Sequence, residues 1–226
     1  MGFFLVLEGP EGAGKTSHAR VLASRLTDAG FATVLTREPG GTELGCAVRS
    51  LVLPASSVPI SARSEVFLYC AARAQLVEEV IRPALQLGQV VVSDRFGYST
   101  IAYQGYGRGL DVETVTSVVR FSTDGLEPDL CILLDLDPEI GLQRKRGVLL
   151  AGGTGEWNRF EQETITFHRR VREGYLQMAG ADPERWLVLD ASLPFETLQD
   201  RIMQRVLALQ SRAKACARRP SDWRKT

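Results

Sequence analysis

Residues 9–16, Gly-Pro-Glu-Gly-Ala-Gly-Lys-Thr, constrain the fold of this chain more than any other segment. They fit the pattern G-x-x-x-x-G-K-[ST], set directly behind an apolar run (FFLVLE, 3–8) and at the head of a helical pattern (15–29). In that strand, loop and helix setting the glycines let the backbone wrap an anion. Successive N–H groups and the helix N-terminus supply partial positive charge. Lys15 is placed to reach the β- and γ-phosphates of a nucleotide, and Thr16 to give its hydroxyl to Mg²⁺. Gly9, Pro10, Glu11, Gly12, Ala13, Gly14, Lys15 and Thr16 therefore form the expected nucleotide-binding loop. Elsewhere the chain prefers arginine, and residues 1–211 contain only two lysines, Lys15 and Lys145.

Short apolar or β-branched runs recur between amphipathic stretches, the alternation expected of βαβ units. Strands are expected near 3–8, 31–36, 89–93, 129–135 and 186–189. Helical patterns lie near 15–29, 43–53, 63–87, 111–123, 138–146, 159–179 and 195–210. The implied fold class is α/β: a three-layer P-loop NTPase fold whose five-stranded, mostly parallel sheet carries helices on both faces. No internal repeat or Pro/Gly-rich linker divides the chain, so residues 1–211 read as one domain. The Gly-rich stretch 147–157 (GVLLAGGTGEW) reads equally as a connector or as part of a mobile lid over about 144–159.

Composition narrows the chemistry. The 226 residues carry zero formal net charge, with 44% hydrophobic and 24% charged residues, which argues against collagen-like, disordered and strongly polyanion-binding chains. No apolar run approaches the roughly 20 residues of a membrane span, and the N-terminus reads as a first buried strand rather than a signal peptide. A cytoplasmic location is expected. Cysteines at 46, 70, 131 and 216 match neither a zinc site nor a redox pair, and His18 and His168 stand far apart. The chemistry must then use carboxylates, arginines, hydroxyls and backbone amides. Residues 212–226 hold six basic side chains and one acid, giving +5 and leaving −5 on residues 1–211. This tail reads as a disordered, solvated terminus, so an acidic body must gather its cations locally.

A guanine-specifying Asn-Lys-x-Asp segment is absent, and the chain is short for a motor. Arg37, Arg73 and Arg95 stand near strand ends or apparent loops. Phosphoryl transfer between two anionic substrates needs such cations, which favours a small-molecule kinase. At this point the residues carry a resemblance. The chain resembles the thymidylate kinases through Glu-Gly-Pro-Glu-Gly-Ala-Gly-Lys-Thr (8–16), Thr-Arg-Glu-Pro-Gly-Gly-Thr (36–42), Tyr-Cys-Ala-Ala-Arg-Ala-Gln (69–75) and Asp-Arg-Phe (94–96). Further along it does so through Ala-Tyr-Gln-Gly-Tyr-Gly-Arg-Gly (102–109), Pro-Asp-Leu (128–130) and Asn-Arg-Phe-Glu-Gln-Glu (158–163). These segments run in the family's order over roughly residues 1–210.

The resemblance implies ATP-dependent phosphorylation of dTMP to dTDP with Mg²⁺, usually by a homodimer. It implies that Glu11 accepts a hydrogen bond from the deoxyribose 3′-hydroxyl and that Arg95 contacts the dTMP phosphate near the transfer path. Without the resemblance, Arg95 reads as an ion pair with Asp94. Asp94 reads as a water-mediated Mg²⁺ ligand or as a helix cap. Glu38 and Arg49 align with residues around the dTMP site, or each is a cap or a solvated charge. Tyr69 takes the position of the base-stacking ring, with Arg73 one helical turn on. Thr100 and Gln104 offer groups for the pyrimidine edge, and Tyr103 a wall against a 2′-hydroxyl. Gly12 stands where some members carry a catalytic arginine, so the lid is expected to supply that cation. Arg144 is assigned to the adenine face, and Arg146 or Arg159 to the β/γ bridge. Two departures stand out: Phe96 where Tyr is common, and Tyr69 where Phe is common. Another nucleoside monophosphate kinase, or a binding module without transfer, remain the alternatives.

Overall fold

The computed structural model describes residues 2–54, 59–151 and 158–217, with side chains through residue 211. Five parallel strands, β1 (Phe3–Glu8), β2 (Thr33–Arg37), β3 (Val90–Asp94), β4 (Leu130–Asp135) and β5 (Trp186–Asp190), form one sheet in the order β2-β3-β1-β4-β5. Each expected strand is present to within about two residues. β1 is a near-continuous apolar run because it is central and covered on both faces. Leu5 and Leu7 point to one side, against Leu22 and Leu26 of α1 (Lys15–Asp28) and Leu198 and Ile202 of α9 (Phe195–Ala217). Phe4 and Val6 point to the other, against Leu76, Ile81 and Phe96. Full burial of a side chain such as Leu5 or Leu22 contributes about 1.5–3 kcal/mol.

The intervening helices are α2 (Glu43–Val52), α3 (Ala62–Leu76), α4 (Arg82–Gln86), α5 (Gly97–Thr100), α6 (Val112–Ser122), α7 (Pro138–Leu150) and α8 (Ile165–Ala181). The long pattern at 63–87 is indeed continuous, but α3 joins α4 through a π-helical turn, Val77–Ile81. Pro83 lacks an N–H to donate, and the widened turn just before it relieves the missing bond. α5, continued by a second π-helical turn at Ile101–Gly107, has no counterpart in the sequence reading. Gly97, Gly105 and Gly107 dilute its helical signal.

Three further boundaries differ. The pattern at 159–179 is two elements, a 3₁₀ turn (Arg159–Gln162) and α8, because Thr164 accepts from Phe167 N and starts a new helix. α7 continues to Leu150. α9 continues to Ala217, six residues into the tail expected to lack structure, which corrects that expectation for 212–217. Residues 152–157 of the expected lid and the tail from 218 lie outside the described residues.

Parallel strands deliver their C-terminal ends to one edge, where ligands bind in such sheets. Leu7 of β1 pairs in register with Asp94 of β3, which pairs with Arg37 of β2. The phosphate loop, Glu38 and Arg95 thus leave the sheet side by side.

Candidate active site

The loop after β1 has the geometry its glycines permit. Gly12 and Gly14 adopt the left-handed φ values of 72° and 86°, and Lys15 bends back so that Nζ donates to Pro10 O at 2.7 Å. Burial, with Arg95 adding to it, pushes the Lys15 ammonium down to about 8. Thr16 Oγ1 donates to Asp94 Oδ2 at 2.5 Å. Asp94 thus stands beside the loop hydroxyl; it does not cap the helix that follows, and its charge also favours that of Arg95. Two hard oxygen donors side by side suit Mg²⁺, which is typically held by one or two protein oxygens plus substrate phosphates.

Arg95 is one of two non-glycine residues with left-handed φ among those described, at 74°. The buried carboxylate of Glu8 holds that turn. It accepts from Phe96 N (2.9 Å), Ser99 N (3.2 Å), Ser99 Oγ (2.6 Å) and Tyr175 Oη (2.9 Å). The guanidinium is turned into the cleft, where Nη2 donates to Glu11 Oε1 at 2.7 Å and to Tyr103 Oη at 3.1 Å. Tyr103 Oη also donates to Glu11 Oε1, at 2.8 Å. Burial would raise the Glu11 carboxyl, but Arg95, Lys15 and Lys145 outweigh it and hold the group well below the usual carboxylate range. A carboxylate inside an anion-binding loop is thus tolerated because cations surround it.

A second cluster lies deeper. Arg73 is fully buried; Nε donates to Glu38 Oε2 (2.8 Å) and Nη2 to Thr100 Oγ1 (2.9 Å) and Phe96 O (3.4 Å). Burial pushes the Glu38 carboxyl up to about 7, with Arg73 opposing. Glu38 is neither a cap nor a solvated charge; it fixes Arg73. Tyr69, Arg73, Thr100, Tyr103 and Gln104 face the same cleft of about 910 Å³ as Lys15 and Arg95. Arg49 also lines it and donates to Pro39 O at 3.2 Å.

The lid cations separate. Arg144 lines the cleft and donates to Ala191 O at 2.8 Å. Lys145 reaches Glu11 Oε2 at 3.5 Å and pairs closely with Glu161. Arg146 is exposed and does not line the cleft. Arg159 does not line it either: Nη1 donates to Glu65 Oε1 at 2.7 Å and Nε to Val52 O at 2.5 Å. Lys145 arrives where it does because α7 presses on the loop. A Cβ on Gly12 would lie 2.0 Å from Gly141 O, and one on Gly141 would lie 2.1 Å from Glu11 O. Four residues after Gly141, one helical turn, Lys145 falls on the same face.

The family model for thymidylate kinase matches residues 7–202. A thymidylate kinase of Deinococcus radiodurans is 51% identical over 201 residues, covering 89% of this chain and 94% of that one. One of Herpetosiphon aurantiacus is 44% identical over 222 residues, covering 90% and 94%. The chain belongs to the thymidylate kinase family. The crystal structure of a thymidylate kinase from Ehrlichia chaffeensis superposes with a TM-score of 0.73 at 28% identity, covering 91% of this chain and 98% of that one. As a thymidylate kinase, the protein phosphorylates dTMP to dTDP with ATP as co-substrate.

Several residues of this thymidylate kinase site are absent from the sequence reading. Glu8 is a charged residue closing an apolar strand, a signal that was available. Ser99, Tyr175 and Glu65 carried no local signal, because each acts through a partner far away in sequence.

Proposed function

We propose a division of labour within this cleft for moving the ATP γ-phosphoryl group to dTMP. The loop amides of residues 9–16 and Lys15 hold the ATP phosphates, and Thr16 with Asp94 would hold Mg²⁺. When bound, the ion neutralises charge on the phosphate oxygens. Arg95 takes the dTMP phosphate, Glu11 accepts from the deoxyribose 3′-hydroxyl, and Tyr103 closes the site beside the sugar. Tyr69 stacks on the base, and Arg73, Thr100 and Gln104 meet its edge, with Glu38 and Arg49 framing the pocket. Arg144 serves the adenine face.

The observation that carries this assignment is that the charges of Lys15 and Arg95 both act on Glu11, with Arg95 bonded to it at 2.7 Å. One cation belongs to the ATP loop and the other to the acceptor side, so their meeting point is the natural transfer path. The nucleophile, a phosphate oxygen, is already ionised at neutral pH and needs no general base. His18 accordingly stacks on Phe195 and bonds Gln199, with burial pushing it down to about 4. Catalysis is in-line positioning with fixed cations, and lid closure would exclude water. Of the lid cations Lys145, Arg146 and Arg159, Lys145 is the one placed for the β/γ bridge, because it lines the cleft and reaches Glu11, whereas Arg146 and Arg159 do not line the cleft. Single alanine variants of these three, compared by kcat, test this: Lys145→Ala is expected to cost most, and a wild-type kcat for it would remove Lys145 from the path.

The proposal extends to a homodimer in the cytoplasm. Phe67 on α3 and Phe121 on α6 are 64% and 89% exposed, on helices that pack together, a pattern suited to a subunit contact. Cys46, Cys70 and Cys131 are free thiols, as in a reducing compartment. Among the described residues no helix is long and apolar enough to cross a membrane. Light scattering of the full chain at twice the 24.9 kDa monomer mass is the expected result, and a monomer mass would overturn the dimer.

A further inference from the structure

Glu65, in the first turn of α3 and 1% exposed, makes no hydrogen bond to the phosphate loop or to Arg95. Every hydrogen bond its carboxylate makes, it accepts. Oε2 receives Gln104 Nε2 (2.8 Å) and Arg108 Nε (3.3 Å); Oε1 receives Arg108 Nη2 (3.0 Å) and Arg159 Nη1 (2.7 Å). Arg108 is itself held by Glu163. The Tyr69 hydroxyl, the group that departs from the family's usual Phe, interacts with Arg159, which Glu65 holds. One buried carboxylate thus gathers the base-edge amide and the residue at the far end of the lid.

The consequence for Gln104 is chemical. A carboxylate flanked by two guanidiniums only accepts, so the amide must turn its nitrogen to Glu65. The carbonyl oxygen is then the polar group that Gln104 offers the cleft it lines. Beside it, Thr100 Oγ1 accepts from Arg73 Nη2, which frees the Thr100 proton for an outside acceptor. The pocket wall presents an acceptor at Gln104 and a donor at Thr100. A thymine or uracil edge, with its N3–H donor next to carbonyl acceptors, complements that wall. A cytosine edge, with an acceptor at N3 next to an amino group, opposes it at both positions.

We infer that Glu65 is a positioning residue for base selection, which fixes the orientation of the Gln104 amide so that the site demands a protonated imide nitrogen on its acceptor. This rests on the base contact proposed above for Gln104. The amide's orientation is set by Glu65 and not by the ligand, so a base whose N3 has lost its proton is refused.

The test uses 5-fluoro-dUMP, whose N3 proton is more acidic than that of dTMP, as acceptor for the full-length enzyme. In the wild type, kcat/KM for the analogue should fall with rising pH in step with its neutral fraction, while the dTMP profile over the same range does not. The dTMP control cancels titration of Lys15 and Glu38, which both acceptors share. A matching profile for the two acceptors would overturn the inference, and this arm needs no variant. In Glu65→Gln, checked for retained ADP binding, the amide can turn over. The KM for dTMP should rise about tenfold with kcat little changed, and the alkaline fall for 5-fluoro-dUMP should flatten. Wild-type KM and profile in that variant would overturn the role of Glu65. Gln104→Ala separates the two levels: if it leaves KM for dTMP unchanged, the base contact beneath the inference fails instead.

Discussion

Arg95 Nη2 sits 2.7 Å from Glu11 Oε1, joining the acceptor side of the cleft to the loop that holds ATP. The contact depends on a left-handed backbone at Arg95, a conformation that costs roughly 1–2 kcal/mol for a residue with a Cβ. Glu8, Ser99 and Tyr175 pin that turn from below. Strain of this kind persists where the surroundings over-determine it, commonly at functional sites.

Removing Arg95 therefore has two separable effects. Arg95→Ala should lower kcat by about 10²-fold or more, as loss of a preorganised charge-stabilising group does. It should also destabilise the fold by about 3 kcal/mol, because Glu11 is left as a largely buried, less compensated charge. Adding Glu11→Gln should restore the unfolding midpoint but not the turnover. Denaturant unfolding and steady-state kinetics on the single and double variants check both parts.

Gly141→Ala should act at a distance from any substrate. Its Cβ would stand 2.1 Å from the Glu11 carbonyl, so α7 must withdraw from the loop and carry Lys145 away from Glu11. A raised KM for ATP, a lowered kcat and a lower thermal midpoint are expected together. Gly12→Ala adds the left-handed backbone cost to the same clash. The contact also explains why the loop position that some family members fill with arginine is glycine here.

Much of the site was legible in the sequence and part was not, for a physical reason. The loop at 9–16 announces itself because its chemistry needs contiguous residues. Glu11, Tyr69, Arg73, Arg95, Thr100, Tyr103 and Gln104 came from matched segments, and the fold brings them to one cleft. The strand pattern was readable because strands covered on both faces are continuous apolar runs. The sequence pattern does not single out Lys145 from the neighbouring lid arginines, because the register of α7 against the loop is set by two glycines that carry no charge signal. The α5 segment was missed because its glycines mask a helix held by packing.

Lys15 gives the site a pH signature. Its ammonium is pushed down to about 8 in the free protein by burial and Arg95. Above that value the loop loses a positive charge, so kcat/KM for ATP should fall as pH rises through about 8. Bound phosphates favour the ammonium, so kcat at saturating ATP should hold to higher pH. For stability the sign is opposite. The unfolded lysine keeps its proton up to about 10.4, so this group alone makes the fold gain stability between the two values as pH rises. Paired profiles of kcat/KM and kcat check the first part.

Arg73→Lys should raise the KM for dTMP by about tenfold with a smaller effect on kcat. A lysine cannot reproduce the fork that meets Glu38, Thr100 and Phe96 O together. It would leave Glu38, which burial already pushes up to about 7, without its bonded partner. Acceptor kinetics on the variant, beside its thermal midpoint, separate the binding effect from the structural one.

The most direct test of the account is ADP release by the full chain with ATP and Mg²⁺ against a panel of dTMP, dUMP, dCMP, AMP and GMP. Turnover should be greatest with dTMP, with dUMP behind it and little with dCMP or the purines, and Lys15→Ala should abolish it. Greater turnover with AMP, GMP or dCMP than with dTMP, or undiminished turnover in Lys15→Ala, would contradict the account.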